Sequence, residues 1–205
     1  MKPLRVGVLA SGAGTTLQAL LDAQIGGDFT VVLAISNNSD SGAMKRATQA
    51  HVPTLHLSGV THPDAAISDA AMADALTAAD AELVVTAGYL KLVGPATLRR
   101  FAGRIINTHP SLLPAHGGQG MYGDRVHAAV LSAGDAVSGP TVHLVTDDYD
   151  QGPVVAQAQV QVFAEDSVES LRLRVQQAEV ALLLDVVSGF ARDRSSLPSA
   201  SLKLA

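Results

Sequence analysis

Apolar positions along the chain fall into short unbroken runs separated by stretches with a helical period. "LRVGVLA" (4–10), "FTVVLAIS" (29–36) and "ELVVTAG" (82–88) read as strands buried on both faces. "TTLQALLDAQ" (15–24) puts Leu17, Leu20 and Leu21 on one helical face, with Thr15 or Thr16 as the expected N-cap. "SGAMKRATQAH" (41–51) predicts a second helix and "VPTLHL" (52–57) a short strand. The Ala-rich stretch 63–80 has helical composition and predicts a weakly packed outer helix. "GPATLRRFAG" (94–103) predicts a short helix, and "RIINTH" (104–109) the strand that follows it. This β-α-β-α order predicts a parallel sheet covered on both faces.

Beyond residue 110 the pattern changes. A loop over 110–120 and a helix over 121–133 precede two strand-like runs, "GPTVHLVT" (139–146) and "VVAQAQVQVF" (154–163). The second alternates from Ala156 to Val162, as a strand with one wet face does. The turn "DDYDQGP" lies between the two runs, which are expected to pair antiparallel. A long helix over 167–188 is predicted to turn Val168, Leu171, Val175, Ala178 and Leu182 inward. The architecture expected is α/β, one domain with a mostly parallel sheet and a C-terminal antiparallel portion, then a frayed tail.

Composition narrows the function classes. Aromatic residues are 3% of the 205 and Trp is absent, so the core is built from Ala, Val and Leu. A net charge of −5 argues against a nucleic-acid surface. With no Cys there is no disulfide framework, thiolate metal site or Cys nucleophile. The first apolar run is too short for a signal peptide, and none reaches the ~18 residues of a membrane span. A soluble cytoplasmic protein is expected.

Three places carry candidate chemistry. In "ASGAGTTLQ" (10–18), Gly12 and Gly14 join a strand to a helix start, where backbone N–H groups and the helix dipole suit a phosphate. Leu17 takes the place of the third glycine of a dinucleotide fingerprint, and no P-loop pattern is present, so a phosphomonoester fits better. The alternative is a tight turn that binds nothing. In "INTHPSLLP" (106–114), Asn107 and His109 share a face at the end of a strand, and Pro110 keeps His109 extended. An amide donor beside an imidazole can hold a carbonyl oxygen that is becoming tetrahedral; a capped strand end with a structural Asn is the plain alternative. In "TDDYDQGP", Asp147 and Asp148 read as a solvated turn. Asp150 immediately precedes the return of the chain into a strand, and a carboxylate there near His109 would favour the charged imidazole. No HxxxH, HxH or GxSxG pattern occurs, so neither zinc nor a serine nucleophile is expected.

"ASGAGTTLQALL", "TAGYLKLVGP", "GRIINTHPSLLP", "TVHLVTDDYDQGPVVAQ" and "RVQQAE", in this order, resemble the glycinamide ribonucleotide formyltransferase family of purine synthesis. The resemblance implies a single Rossmann-like formyltransferase domain over 1–190, with a phosphate loop at 10–16, a folate and catalytic half at about 85–165, and a tail at 191–205. It implies transfer of a formyl group from 10-formyltetrahydrofolate, a co-substrate, to the amine of glycinamide ribonucleotide, without a metal. Asn107, His109 and Asp150 match the catalytic trio. Gly14, Thr15 and Thr16 match the loop holding the substrate phosphate, and Glu179, with Gln176 beside it, a carboxylate used on the ribonucleotide. Leu90, Lys91, Leu92 and Val93 match the segment lining the folate pteridine; Thr146, Asp147 and Asp150 belong to the loop closing over it, and Asn107 is shared with the folate site. Thr15-Thr16 replace a frequent Ser-Asn, "VALLL" replaces the usual residues after Glu179, and Ala65 stands nearest a missing Arg that often holds the folate tail. The rivals are a formyltetrahydrofolate hydrolase, for which a first strand at residue 4 leaves no regulatory domain, a methionyl-tRNA formyltransferase, which needs a basic tRNA-binding domain, and a non-catalytic module of this fold. The partners implied are small molecules only, with no nucleic acid or membrane, in a monomer or homodimer.

Overall fold

The computed structural model of the chain describes residues 2–194. The expected tail lies outside the described residues from 195 onward. The chain forms two compact units, one built on residues up to Ile106 with the end of the last helix, the other Asn107–Val186.

In the first unit the expected alternation is present. It comprises β1 (Leu4–Leu9), α1 (Thr15–Ala23), β2 (Phe29–Ser36), α2 (Gly42–Gln49), β3 (Thr54–His56), α3 (Ala65–Ala78), β4 (Leu83–Thr86), α4 (Pro95–Arg100) and the first residues of β5 (Ile105–His109). The strands run in the order β3-β2-β1-β4-β5. Pairing is parallel between β1 and β2, β1 and β4, and β2 and β3. Leu83 to Thr86 are all buried, and so is β1 except at Arg5, because strands covered on both faces need apolar side chains at every position.

Helix α3 corrects one expectation. It is not weakly packed: Leu76 is fully buried, with Met72 and Ala73 beside it. Gly7 in β1 makes the room, since a Cβ there would sit 2.4 Å from Leu76 Cδ2. Both ends are held by side chains from this unit. The Asp64 carboxylate accepts the Ala66 and Ile67 N–H groups at the N-terminus. The Arg5 guanidinium donates to the Ala79 and Asp80 carbonyls just past the C-terminus. Midway, the buried Asp69 carboxylate accepts the Ala96 and Thr97 N–H groups at the start of α4. The helix thus adds these tertiary hydrogen bonds to the narrow buried face formed by Asp69, Met72, Ala73 and Leu76.

The second unit holds the end of β5, α5 (Asp124–Ala133), β6 (Val137–Ser138), β7 (Thr141–Leu144), β8 (Val154–Gln157), β9 (Val160–Gln161) and most of α6 (Val168–Arg192). The strand order here is β5-β7-β8, and β7 pairs with β8 antiparallel, as expected, with Thr141 opposite Gln157. Only the second of the two long predicted strands is broken, at Ala158-Gln159, which separates β8 from β9; the first is shortened to β7, and Gly139-Pro140 separates it from the unpredicted β6, which forms a small antiparallel sheet with β9. At the break Gly139 has φ 143°, and a Cβ there would meet the Ala158 carbonyl oxygen at 1.9 Å. Helix α5 starts at Asp124 rather than 121, after Gly123 in a left-handed backbone.

Helix α6 buries Leu171 and Val175 against Val130 and Val160. Further along, the fully buried residue is Leu183; the expected Leu182 is half-buried. The spacing 171, 175, 183 follows rows of four, and the run Leu182-Leu183-Leu184 leaves the choice to packing. Leu183→Ala should cost about 2–5 kcal/mol and Leu182→Ala about 1 kcal/mol. Urea denaturation of the two variants measures the difference, and equal costs would contradict this register.

Candidate active site

The expected catalytic residues all lie in the second unit, and the fold brings them together. Asn107 and His109 sit at the end of β5, with His109 3% exposed. The segment after them is clamped. The Leu113 N–H donates to Thr141 Oγ1, the Thr141 hydroxyl to the Ser111 carbonyl, and the Gln157 amide to the Leu113 carbonyl. The Leu113–Pro114 peptide is cis. Asp150 ends the turn after β7 in a left-handed backbone, φ 56°, which Asp tolerates better than most residues. Gly152 follows, and any Cβ there would meet the Leu144 carbonyl oxygen at 1.7 Å, so the chain can return only through glycine.

One carboxylate gathers the site. Asp150 Oδ2 lies 3.4 Å from His109 Nδ1 and accepts the Gly118 N–H at 2.9 Å. Asp150 Oδ1 lies 3.5 Å from Nε2 of His143. Nε2 of His143 is in turn 3.0 Å from Asn107 Nδ2. His143 belongs to β7, is 2% exposed, and was not among the expected site residues. His109 Nε2 donates to the His116 carbonyl at 2.9 Å, and His116 is anchored by its own Nε2 to Asp135 Oδ2 at 2.6 Å.

Protonation differs from the expectation. Burial pushes the His109 pKa down, and the Asp150 charge and the His116 carbonyl push it back only in part, so it lies below the ordinary value of 6.5. Asp150 therefore does not hold His109 charged at neutral pH in the free protein; desolvation of a 3% exposed ring wins over a carboxylate at 3.4 Å. Burial alone would raise the Asp150 pKa, but contacts to His143, His109 and the Gly118 N–H outweigh it and hold it below the ordinary carboxylate value. The His143 contact is long at 3.5 Å, which leaves the Gly118 N–H as the closest partner. His127, on α5, is 2% exposed and its Nδ1 has no hydrogen-bond partner among the described residues. Burial lowers its pKa too, against the Asp124 charge.

The other expected residues stand as follows. Gly14 caps α1 in a left-handed backbone, φ 75°, and offers no side-chain hydrogen bond; Thr15 and Thr16, expected as caps, are instead the first residues of the helix. Arg46, absent from the sequence reading, brings a guanidinium to this loop, donating to the Ala13 carbonyl and to Gln18 Oε1, each at 3.0 Å. Its partner Ala13 lies 33 residues away, and no local signal marks the pair. Leu90, Lys91 and Leu92 are exposed on the loop after β4, with Val93 buried. That loop is tied down by the Leu90 N–H donating to Ser11 Oγ at 2.9 Å. Asp147 and Asp148 are exposed, as a solvated turn requires, and Thr146 is half-buried. Glu179 accepts from the Thr108 hydroxyl at 2.9 Å; Gln176, three residues earlier, is exposed. Among the described residues no group of three or more His, Asp or Glu side chains is placed to hold a metal ion, and no helix is long and apolar enough to cross a membrane.

An Asn and a His closing a strand of an α/β fold, joined by an Asp from the following hairpin, define a formyl transferase domain, and the formyl transferase family matches residues 4–187. Phosphoribosylglycinamide formyltransferase of Haemophilus influenzae is 37% identical over 195 residues, 94% of this chain and 90% of that protein. The chloroplastic phosphoribosylglycinamide formyltransferase of Arabidopsis thaliana is also 37% identical over 195 residues; the match takes in 93% of this chain and 66% of that protein. The crystal structure of glycinamide ribonucleotide transformylase 1 from Symbiobacterium toebii superposes with a TM-score of 0.86 at 39% identity, covering 94% of this chain and 89% of the other. The chain belongs to the phosphoribosylglycinamide formyltransferase family.

Two measurements check this geometry. His109 and His127 both bind protons less readily when folded, so between their folded pKa values and 6.5 the unfolded chain holds more protons. Stability should therefore rise with pH up to about 6.5 and fall as the solution is acidified below it. Melting temperature against pH reads this, and His127→Phe should flatten the slope. Gly14 cannot test phosphate binding, because a Cβ there would lie 2.5 Å from Ala43 Cα and strain a left-handed backbone. A Cβ on Gly12 would meet nothing within 4 Å. Gly12→Val should fold normally and raise the KM for glycinamide ribonucleotide about tenfold, with the affinity for a folate analogue within about twofold of wild type. Equal weakening of both ligands would place the phosphate elsewhere.

Proposed function

We propose that the chain transfers the formyl group of 10-formyltetrahydrofolate to the primary amine of glycinamide ribonucleotide, giving N-formylglycinamide ribonucleotide and tetrahydrofolate in the cytoplasm. The observation that carries the reading is the linked group Asn107, His143, Asp150 and His109, drawn from three separate segments onto one buried carboxylate.

The amine attacks the formyl carbon, and the carbonyl oxygen gains negative charge. Asn107 Nδ2 and His109 Nε2–H donate to that oxygen. His109 Nε2 already donates to a carbonyl, that of His116, and the formyl oxygen replaces it. The attacking nitrogen becomes positive and must lose a proton. The Asp150 carboxylate, held ionised by its partners, receives it directly or through water and passes it toward the departing folate nitrogen.

The phosphate of the ribonucleotide is assigned to Gly12 and the start of α1 at Gly14, Thr15 and Thr16, where Arg46 adds positive charge. Glu179, with Gln176 near it, is assigned to polar groups of the ribonucleotide. The exposed apolar Leu90 and Leu92, with Lys91 and Val93, are assigned to the folate ring, and Thr146 and Asp147 to its closing turn. The assembly state consistent with this reading is a monomer or a homodimer.

Asp150→Asn tests the chemistry. Asn also adopts a left-handed backbone and can accept the Gly118 N–H, so the variant should keep its melting temperature. Its kcat should fall about 10²- to 10⁴-fold. Tetrahydrofolate release, followed with and without glycinamide ribonucleotide, provides the readout. Release by the wild type without the ribonucleotide would favour a hydrolase instead, and near-wild-type turnover in the variant would remove Asp150 from the mechanism.

A further inference from the structure

We propose that Arg46 is a positioning residue that holds the Ala13–Gly14 peptide with its N–H turned toward the phosphate of the ribonucleotide, an inference that rests on the phosphate assignment made above. The problem it solves is local. A loop that binds an anion through its backbone must turn N–H groups toward the ligand and carbonyls away from it. The glycine at 14 leaves this choice open. Gly14 stands at φ 75°, and a glycine accepts the opposite sign of φ about as readily. The Ala13–Gly14 peptide plane can therefore turn over at little local cost, which would aim the Ala13 carbonyl at the anion.

The surroundings decide it from the carbonyl side. Helix α2 lies so close to this loop that a Cβ on Gly42 would come 2.4 Å from the Ala13 carbonyl oxygen. One turn further along the same helix, Arg46 Nε donates to that oxygen at 3.0 Å. A guanidinium only donates and a carbonyl only accepts, so this pair has no second arrangement. The peptide is trans and planar, so its N–H leaves the edge opposite its C=O, and the Gly14 N–H points away from α2. The preceding peptide is turned in the same sense, with the Gly12 carbonyl accepting the Ala43 N–H at 3.2 Å. The guanidinium is itself braced. Its Nη1 donates to Gln18 Oε1 at 3.0 Å, and Gln18 Nε2 donates to Asp22 Oδ1 at 2.8 Å. Asp22, Gln18, Arg46 and the Ala13 carbonyl thus form one directed chain within the first unit. The guanidinium sits on the carbonyl edge of the peptide, and its hold on the ligand passes through that peptide.

Side-chain geometry separates positioning from bare charge. A charge beside an anion is best replaced by Lys. A donor to the Ala13 carbonyl is best replaced by Gln, whose Nε2 stands as many bonds from Cα as Arg Nε does, whereas Lys Nζ reaches past that place. Met has similar length and neither property. Arg46→Met, Arg46→Gln and Arg46→Lys are compared with the wild type for tetrahydrofolate release at varied glycinamide ribonucleotide, with a folate analogue titrated separately and folding checked by circular dichroism. Arg46→Met should raise the KM for the ribonucleotide about tenfold, with kcat and the affinity for the folate analogue within about twofold of wild type. Arg46→Gln should recover most of the loss and Arg46→Lys less of it. An unchanged KM in Arg46→Met, recovery by Lys equal to or better than Gln, recovery by neither, or a loss that extends to kcat or to the folate analogue would overturn the inference. Should the Met variant fail to fold, the order of the Gln and Lys variants decides alone. Absence of wild-type turnover would sink the proposed activity and this inference with it, whereas wild-type turnover with the wrong variant order sinks this inference only.

Discussion

A carboxylate whose side chain is only 10% exposed must find partners for both oxygens, and Asp150 is that carboxylate here. Satisfying it fixes the second unit. The Gly118 N–H brings in the glycine-rich loop after Pro114, His109 brings in the end of β5, and His143 brings in β7. The left-handed turn at Asp150 and the side-chain-free Gly152 are the backbone conditions under which the carboxylate can point inward. A change in any of these would leave the buried charge with fewer of the contacts that hold it, and that penalty is larger than most packing defects.

Much of the fold was legible because its strands are short and mostly apolar. β1, β2 and β4 follow the runs 4–10, 29–36 and 82–88, since buried parallel strands leave few polar positions to blur the pattern. Legibility failed where two apolar choices competed or where backbone geometry decided. Leu182 and Leu183 are equally apolar, and only the helix register on its neighbours separates them. The breaks at Gly139 and Ala158 come from a close backbone approach that alternation cannot reveal. The packing of α3 depends on the hollow left by Gly7, a property of the sheet rather than of the Ala-rich segment itself.

The site divides the same way. Asn107, His109 and Asp150 could be read from local spacing and from family resemblance, because each ends a strand or turn with its own sequence marker. His143 could not, since "VHLV" looks like an apolar strand carrying a stray imidazole, and its contacts with Asn107 and Asp150 depend on β7 lying beside β5. The one available signal was its place in the same "TVHLVTDDYDQGP" stretch as Asp150. Arg46 was hidden for the same reason. The charge of His109 was misjudged because the sequence shows the sign of a neighbouring group but not the depth at which both are buried.

The ties on α3 bear on how the first unit unfolds. Asp64 at one end and Arg5 at the other supply what this helix lacks in its own sequence, and Arg5 belongs to the central strand β1. Asp69 passes the same dependence on to α4. Such a helix has no stable existence apart from the sheet, so it cannot open as a separate cooperative segment while β1 stays paired. Its amide hydrogens are therefore expected to exchange together with those of β1.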